Sequence, residues 1–175
     1  MGPRPSRDTA LVLVVRLPPA LEALRMRSIA DARQGVPAHV TLLWPFAEED
    51  ALGPDVLGLV EAIVARHPRL DVTLGEGRRF PDTLYASVEP DGLVRALQAD
   101  LAAAFPTLPL YEGEFPFTPH VSVVEGAAAL GSGPVDDPAW GELPVTQRVD
   151  AVDLITTRAG QWATRRRFPL GARAG

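Results

Sequence analysis

The chain has 175 residues, of which 46% are hydrophobic and 22% charged, and this composition is typical of one soluble domain with a real hydrophobic core. Cysteine is absent, which excludes disulfides, thiolate metal sites and cysteine nucleophiles. The formal net charge of -5 argues against a protein that coats nucleic acid by bulk electrostatics. The longest apolar run, residues 10–15, is too short to span a bilayer, so we expect a cytoplasmic protein.

Hydrophobic periodicity, and the Pro and Gly residues that interrupt it, divide the chain into predicted elements. In order, these are a flexible tail (1–8), a strand (9–17), a helix (18–32), a strand (39–44), a helix (54–66), two strands (70–74 and 84–88) separated by a loop, a helix (92–105), a Pro-rich loop (107–119), a strand (120–124), a Gly-rich mobile loop (126–138) and a hairpin (149–157 with 162–168). The order strand, helix, strand occurs twice, at 9–44 and 84–124, which indicates an internal duplication. We therefore predict a single α+β domain over residues 1–175, built as two similar lobes around a central cleft.

Two histidines lie in near-copies of one short motif, Pro37-Ala-His39-Val-Thr41-Leu and Thr-Pro119-His120-Val-Ser122-Val. Successive side chains of a strand point to opposite faces, so each motif presents an imidazole and a hydroxyl together on one face. The same alternation predicts Trp44 on the other, apolar face. If the lobes pack as a pseudo-symmetric pair, the two polar faces meet across the cleft.

A histidine can accept or donate a proton at neutral pH, so two histidines on opposite sides of a substrate can act as base and acid together. Phosphodiester cleavage needs such a pair, and the hydroxyls of Thr41 and Ser122 can donate hydrogen bonds to the non-bridging phosphate oxygens. A lone strand histidine is usually structural, but a duplicated pair in matching contexts favours catalysis. Which histidine is the base stays open.

The two His-x-Thr/Ser motifs, and the phrase Pro37-Ala-His-Val-Thr-Leu-Leu-Trp-Pro-Phe46 in particular, resemble the two-histidine (2H) phosphoesterase superfamily, which includes the bacterial 2'-5' RNA ligase-like proteins and cyclic phosphodiesterases. The resemblance implies a fold with antiparallel sheets flanking the cleft and helices outside. It also implies that His39 and His120 are catalytic, that Thr41 and Ser122 hold the substrate phosphate, and that neither a metal nor a cofactor is needed. The implied substrates are 2',3'-cyclic phosphates of small nucleotides or of RNA ends, handled by a monomer.

Four further residues are candidates to line the cleft: Phe46, Tyr85, Phe117 and Arg158. The run Arg165-Arg166-Arg167 is interpreted as a solvated strand edge, because alternation prevents all three side chains from reaching one phosphate. The sequence leaves three alternatives to hydrolysis of a cyclic nucleotide. These are 2'-5' RNA ligation, nucleotide or phosphate binding without turnover, and hydrolysis of a non-nucleotide phosphoester.

Overall fold

The computed structural model describes residues 2–130 and 135–171 of the chain. Its strands are β1 (Pro5–Ser6), β2 (Thr9–Val14), β3 (His39–Leu43), β4 (Phe46–Ala47), β5 (Leu70–Phe80), β6 (Thr83–Glu89), β7 (His120–Glu125), β8 (Val145–Val149), β9 (Ala151–Arg158) and β10 (Gln161–Pro169). Its α-helices are α1 (Pro19–Ser28), α2 (Ala30–Arg33), α3 (Pro54–Val64) and α4 (Gly92–Ala104). Short 3-10 turns occur at Glu49–Ala51, Leu110–Gly113, Gly126–Ala129 and Pro138–Glu142.

Two four-stranded antiparallel sheets form the body of the protein, with strand orders β10-β9-β2-β3 and β7-β6-β5-β8. Strands β3 and β7, which carry the two histidine motifs, are the edge strands that contact each other between the sheets. The predicted α+β class and the duplicated arrangement are therefore confirmed, since β2-α1-β3 and β6-α4-β7 repeat the same unit.

The helices of the two units are exchanged. Helix α1 packs against β7 of the second unit, and α4 packs against β3 of the first unit. Each motif strand is thus covered by a helix that belongs to the other repeat. Side chains from both sheets and from α1, α3 and α4 join in one buried apolar cluster, so the core that holds the two motif strands is shared by both units.

The prediction of a flexible tail over residues 1–8 is wrong for its second half. Pro5 and Ser6 pair with Ala47 and Phe46 in a small two-stranded sheet. The side chain of Arg4 also bonds to Glu48. The amino-terminal segment is therefore tied to the end of the first motif. A small edge sheet of this kind satisfies backbone groups that a free tail would leave to water.

The long first helix divides at Ile29, whose φ of -114° and ψ of 122° are those of extended backbone. Ile29 is buried, and β-branched residues favour such backbone angles over helical ones. The remaining helices agree with the prediction to within about two residues at each end, the usual uncertainty of helix boundaries.

Strand β5 continues through the predicted loop as far as Phe80. The run Gly75-Glu-Gly77 suggested a loop, but Gly77 lies where a Cβ would come within 2.7 Å of the Trp140 ring. Glycine inside a strand often marks such a close approach. Strand β8 was not predicted; it is an edge strand whose exposed polar side chains alternate with more buried ones. The Gly-rich loop prediction at 126–138 falls partly on residues 131–134, which lie outside the described residues.

None of the helices formed by residues 2–130 and 135–171 has the length and the apolar character of a membrane-spanning helix.

Candidate active site

Both motif strands contain a β-bulge at the same position. Val12 opposes Thr41 whereas Leu11 opposes Leu43, so β3 carries one extra residue after its hydroxyl residue. In β7, Tyr85 opposes Ser122 and Leu84 opposes Val124, which is the same irregularity. A bulge bends the strand and moves every following side chain to the other face.

The bulges decide what enters the cleft. The simple alternation predicts Trp44 on the apolar face, and that prediction is wrong because the extra residue returns Trp44 to the face of His39 and Thr41. At the equivalent position of β7, Glu125 is returned to the face of His120 and Ser122. Both Trp44 and Glu125 line the central cavity.

The cavity has a volume of about 210 Å³ and lies between β3 and β7. Its described lining contains the two motif pairs, three further aromatic residues, three charged residues and four apolar residues. The motif residues are His39, Thr41, His120 and Ser122; the aromatic residues are Trp44, Tyr111 and Trp162; the charged residues are Arg25, Asp31 and Glu125; and the apolar residues are Ala10, Ile29, Val36 and Ile155. The two polar faces, each with one imidazole and one hydroxyl, which the motifs predicted to meet across a cleft, are therefore brought together in one cavity.

Each histidine ring is oriented by the carbonyl two residues before it. Nδ1 of His39 lies 2.8 Å from the Pro37 carbonyl, and Nδ1 of His120 lies 2.7 Å from the Thr118 carbonyl. A carbonyl only accepts, so each ring holds a proton on Nδ1. Nε2 of each ring then remains to accept a proton when the ring is neutral or to donate one when it is charged.

The surroundings of the two rings differ. Burial, together with the positive charges of Arg25 and of a protonated His120, lowers the pKa of His39 to about 4. Burial also lowers the pKa of His120, but without an arginine beside it. Instead, the His120 ring makes edge contacts with Phe80 and Tyr85, with centroids 5.1 Å and 5.4 Å apart. The site thus joins two imidazoles of unequal basicity.

Arg25 fixes the chain segment that leads into the first motif. Its Nη2 donates to the carbonyls of Val36 at 2.7 Å and Pro37 at 3.0 Å, and its Nη1 donates to Glu22 at 3.0 Å. The side chain is almost fully buried. Because the Pro37 carbonyl also accepts from His39, Arg25 positions the His39 ring through this shared acceptor.

Each motif hydroxyl has a side-chain partner. The Thr41 hydroxyl interacts with Tyr111, and the Ser122 hydroxyl interacts with Glu125, whose pKa is raised by burial. Burial raises the pKa of Tyr111, so its hydroxyl is protonated near neutral pH. Tyr111 reaches the cavity from a backbone with φ 50°, a left-handed angle that is uncommon in residues other than glycine.

The four additional lining candidates lie elsewhere. Phe46 was wrongly expected in the cleft: it lies in the separate short strand β4, paired with Ser6 of β1, and its ring is fully buried in the core against Phe105 at a centroid distance of 5.3 Å. Tyr85 is also buried and stands behind the site, stacked on Phe80 and against His120.

Neither Phe117 nor Arg158 is among the described residues that line the cavity. Phe117 is partly buried beneath the guanidinium of Arg95, whose Nη1 also donates to the Phe117 carbonyl. Arg158 is exposed near the turn of the β9–β10 hairpin and bonds to Glu49. The third histidine, His67, lies between α3 and α4 and contacts Asp100 at 3.0 Å.

Sequence reasoning missed several lining residues. Arg25 left a usable signal, since it follows Leu21 by four residues and therefore shares the apolar face of α1. Tyr111 lies in a loop, and its position depends on backbone angles that no periodicity reports. Glu125 and Trp44 enter through the bulges. Within the described ranges, no three His, Cys, Asp or Glu side chains are grouped so that they could hold a metal ion.

A family model described as the 2'-5' RNA ligase superfamily matches residues 14–161. No curated protein matches the sequence. Among solved structures, TT0787 of Thermus thermophilus is similar, with 18% identity, a TM-score of 0.59, and 94% of this chain and 98% of that chain covered. E. coli LigT complexed with 3'-AMP is also similar, with 15% identity, a TM-score of 0.58, and 94% and 98% covered. Likeness at such identities shows the shared fold.

Proposed function

Because the chain belongs to the 2'-5' RNA ligase superfamily, we propose that it is a metal-independent phosphoesterase that hydrolyses 2',3'-cyclic phosphates, or related RNA-end and nucleotide phosphodiesters, with His39 and His120 as an acid–base pair. The observation that carries this proposal is the matched pair of imidazoles in one cavity, each with Nδ1 held by a backbone carbonyl. The 3'-AMP bound by E. coli LigT supports it, because a nucleoside 3'-phosphate is one product of opening a 2',3'-cyclic phosphate.

The unequal basicity of the two rings supports His39 as the base and His120 as the acid. Neutral Nε2 of His39 removes a proton from water, and the water oxygen forms a bond to phosphorus. The bond from phosphorus to the 2' or 3' oxygen breaks, and that oxygen takes the proton from Nε2 of charged His120. The products are a phosphomonoester, protonated His39 and neutral His120, and exchange of protons with solvent restores the starting state.

The hydroxyls of Thr41 and Ser122 would hold the non-bridging phosphate oxygens during this step. Tyr111 and Glu125 each interact with one of these hydroxyls and would orient it before the phosphate arrives. Donors that are already oriented need not reorganise as charge develops on the phosphate, which is the main source of electrostatic catalysis.

The proposal is tested by incubating the protein with the four 2',3'-cyclic mononucleotides in the presence of EDTA and following the products by phosphorus NMR. We expect conversion to a 2'- or 3'-phosphomonoester that EDTA does not reduce. Loss of conversion on adding EDTA would contradict metal independence. Intact cyclic phosphates after long incubation, even without EDTA, would overturn the proposed reaction for these substrates.

We expect a bell-shaped pH dependence of kcat/KM with its maximum at mildly acidic pH. The base works only when neutral, so activity rises as pH increases through the lowered pKa of His39, about 4. The acid works only when charged, so activity falls as pH increases through the pKa of His120, which burial lowers from its ordinary value of 6.5. Initial rates across this range, with circular dichroism to confirm that the fold persists, would check this; activity that rises steadily above neutral pH would contradict it.

Joining of RNA ends through a 2'-5' linkage is a second candidate, favoured by the description of the matching family. Ligation requires two polyanionic ends to be held together, and basic residues of the hairpin are already engaged by acidic ones, in the pairs Arg158–Glu49, Arg165–Glu49, Arg166–Glu61 and Arg167–Asp150. Incubation with matched RNA halves distinguishes the reactions, because a longer product would establish joining and shortened or opened ends would establish hydrolysis.

A further inference from the structure

The β3 wall and the β7 wall of the cavity differ at the residue whose side chain the bulge turns toward the cavity. The first wall presents the indole of Trp44, and the second presents the carboxylate of Glu125. As a whole residue Glu125 is exposed, and it lines the cavity, although burial of its carboxyl raises the pKa of that group. Its interaction with Ser122 places it next to a hydroxyl that would hold the substrate phosphate.

The charges around the cavity are unusual for a site that takes a phosphate. The charged residues in its described lining are Arg25, Asp31 and Glu125, which is one guanidinium against two carboxylates. The guanidinium is nearly inaccessible, and it donates to Glu22 and to the carbonyls of Val36 and Pro37. The histidines add little positive charge near neutral pH, because burial lowers the pKa of both.

The two carboxylates repel every negative group that enters the cavity, so each further phosphate on the substrate adds repulsion. The reacting phosphate meets hydroxyls and imidazole donors, which offset its single charge. A further phosphate on the same small molecule would lie within about one Debye length of the two carboxylates, ~8 Å at physiological salt, and would be repelled. A hydroxyl at that position would instead be a hydrogen-bond donor for a carboxylate.

We propose that Glu125 is a specificity-determining residue that makes the cavity select a singly charged nucleoside 2',3'-cyclic phosphate with a free 5'-hydroxyl, and disfavour one that carries a 5'-phosphate. This inference rests on the proposed function and names its substrate class more narrowly. The indoles of Trp44 and Trp162 on the cavity surface provide apolar faces on which a base can stack.

The test compares adenosine 2',3'-cyclic phosphate with its 5'-phosphorylated form, which differs by one group. We expect the wild type to favour the 5'-hydroxyl form by about tenfold or more in kcat/KM at low salt, and the preference to shrink at about 0.5 M salt, because charge repulsion is screened. In Glu125→Gln the preference falls at least threefold, since the amide keeps the shape and loses the charge. Glu61→Gln, which removes an exposed charge on α3 that pairs with Arg166, is the matched control and keeps the wild-type preference.

Binding of both nucleotides is measured in parallel by tryptophan fluorescence, so that the two proposals fail separately. Turnover with no preference, a preference insensitive to salt, or one equal in Glu125→Gln and wild type would overturn the role of Glu125 and leave the phosphoesterase standing. A salt-dependent preference in Kd without turnover would overturn the hydrolysis and retain the specificity. Absence of both binding and turnover would overturn both.

Discussion

His39→Ala and His120→Ala are each expected to lower kcat/KM for a 2',3'-cyclic nucleotide by about a hundredfold or more, the size of a general acid or base contribution. The two rings serve one proton-transfer sequence, so the double variant should lose far less than the product of the single losses. Measurements of kcat/KM for the single and double variants, together with their free energies of unfolding, check this expectation.

His67→Ala is the matched control, because it removes the same side chain from a position between α3 and α4 that contacts Asp100. We expect it to retain wild-type turnover. Near-normal kcat/KM in either His39→Ala or His120→Ala would exclude the acid–base assignment. Equal losses in all three variants would indicate that histidine removal acts through the fold.

Phe46→Ala is expected to lower the free energy of unfolding by about 3–5 kcal/mol, because it removes a fully buried ring and leaves a cavity beside Phe105. Such a loss is a large part of the stability of a typical domain, about 5–15 kcal/mol. Urea unfolding followed by tryptophan fluorescence measures the effect.

The comparison variant is Phe115→Ala, since Phe115 is 65% exposed and its removal should change the free energy of unfolding by no more than about 0.5 kcal/mol. A residue that lined the cleft would behave differently: Phe46→Ala would then raise KM and leave stability nearly unchanged. That outcome would contradict the core position of Phe46.

Period-two alternation was sufficient to predict that His39 and Thr41 share a face, and that His120 and Ser122 do the same, because each pair precedes the bulge in its strand. The duplication was also readable, since it depends on the order of elements and not on their exact ends. These features rest on local geometry that every strand obeys.

The remainder of the site depends on irregular backbone and on long-range packing. One extra residue in each motif strand reverses the alternation of side chains. The sequence does not predict these bulges, because Leu42 and Val123 are ordinary apolar strand residues. Tyr111 depends on positive φ angles in a loop. The predicted strand 70–74 ends before β5 does, because Gly77 is typical of a loop when its close neighbour Trp140 is not known.

The exchange of α1 and α4 between the repeats makes the candidate active site depend on the whole chain. Either unit alone would leave its helix without the strand it covers and its motif strand without an apolar cover. Loosening of one wall would therefore remove cover from the other, and the two imidazoles would lose their spacing together.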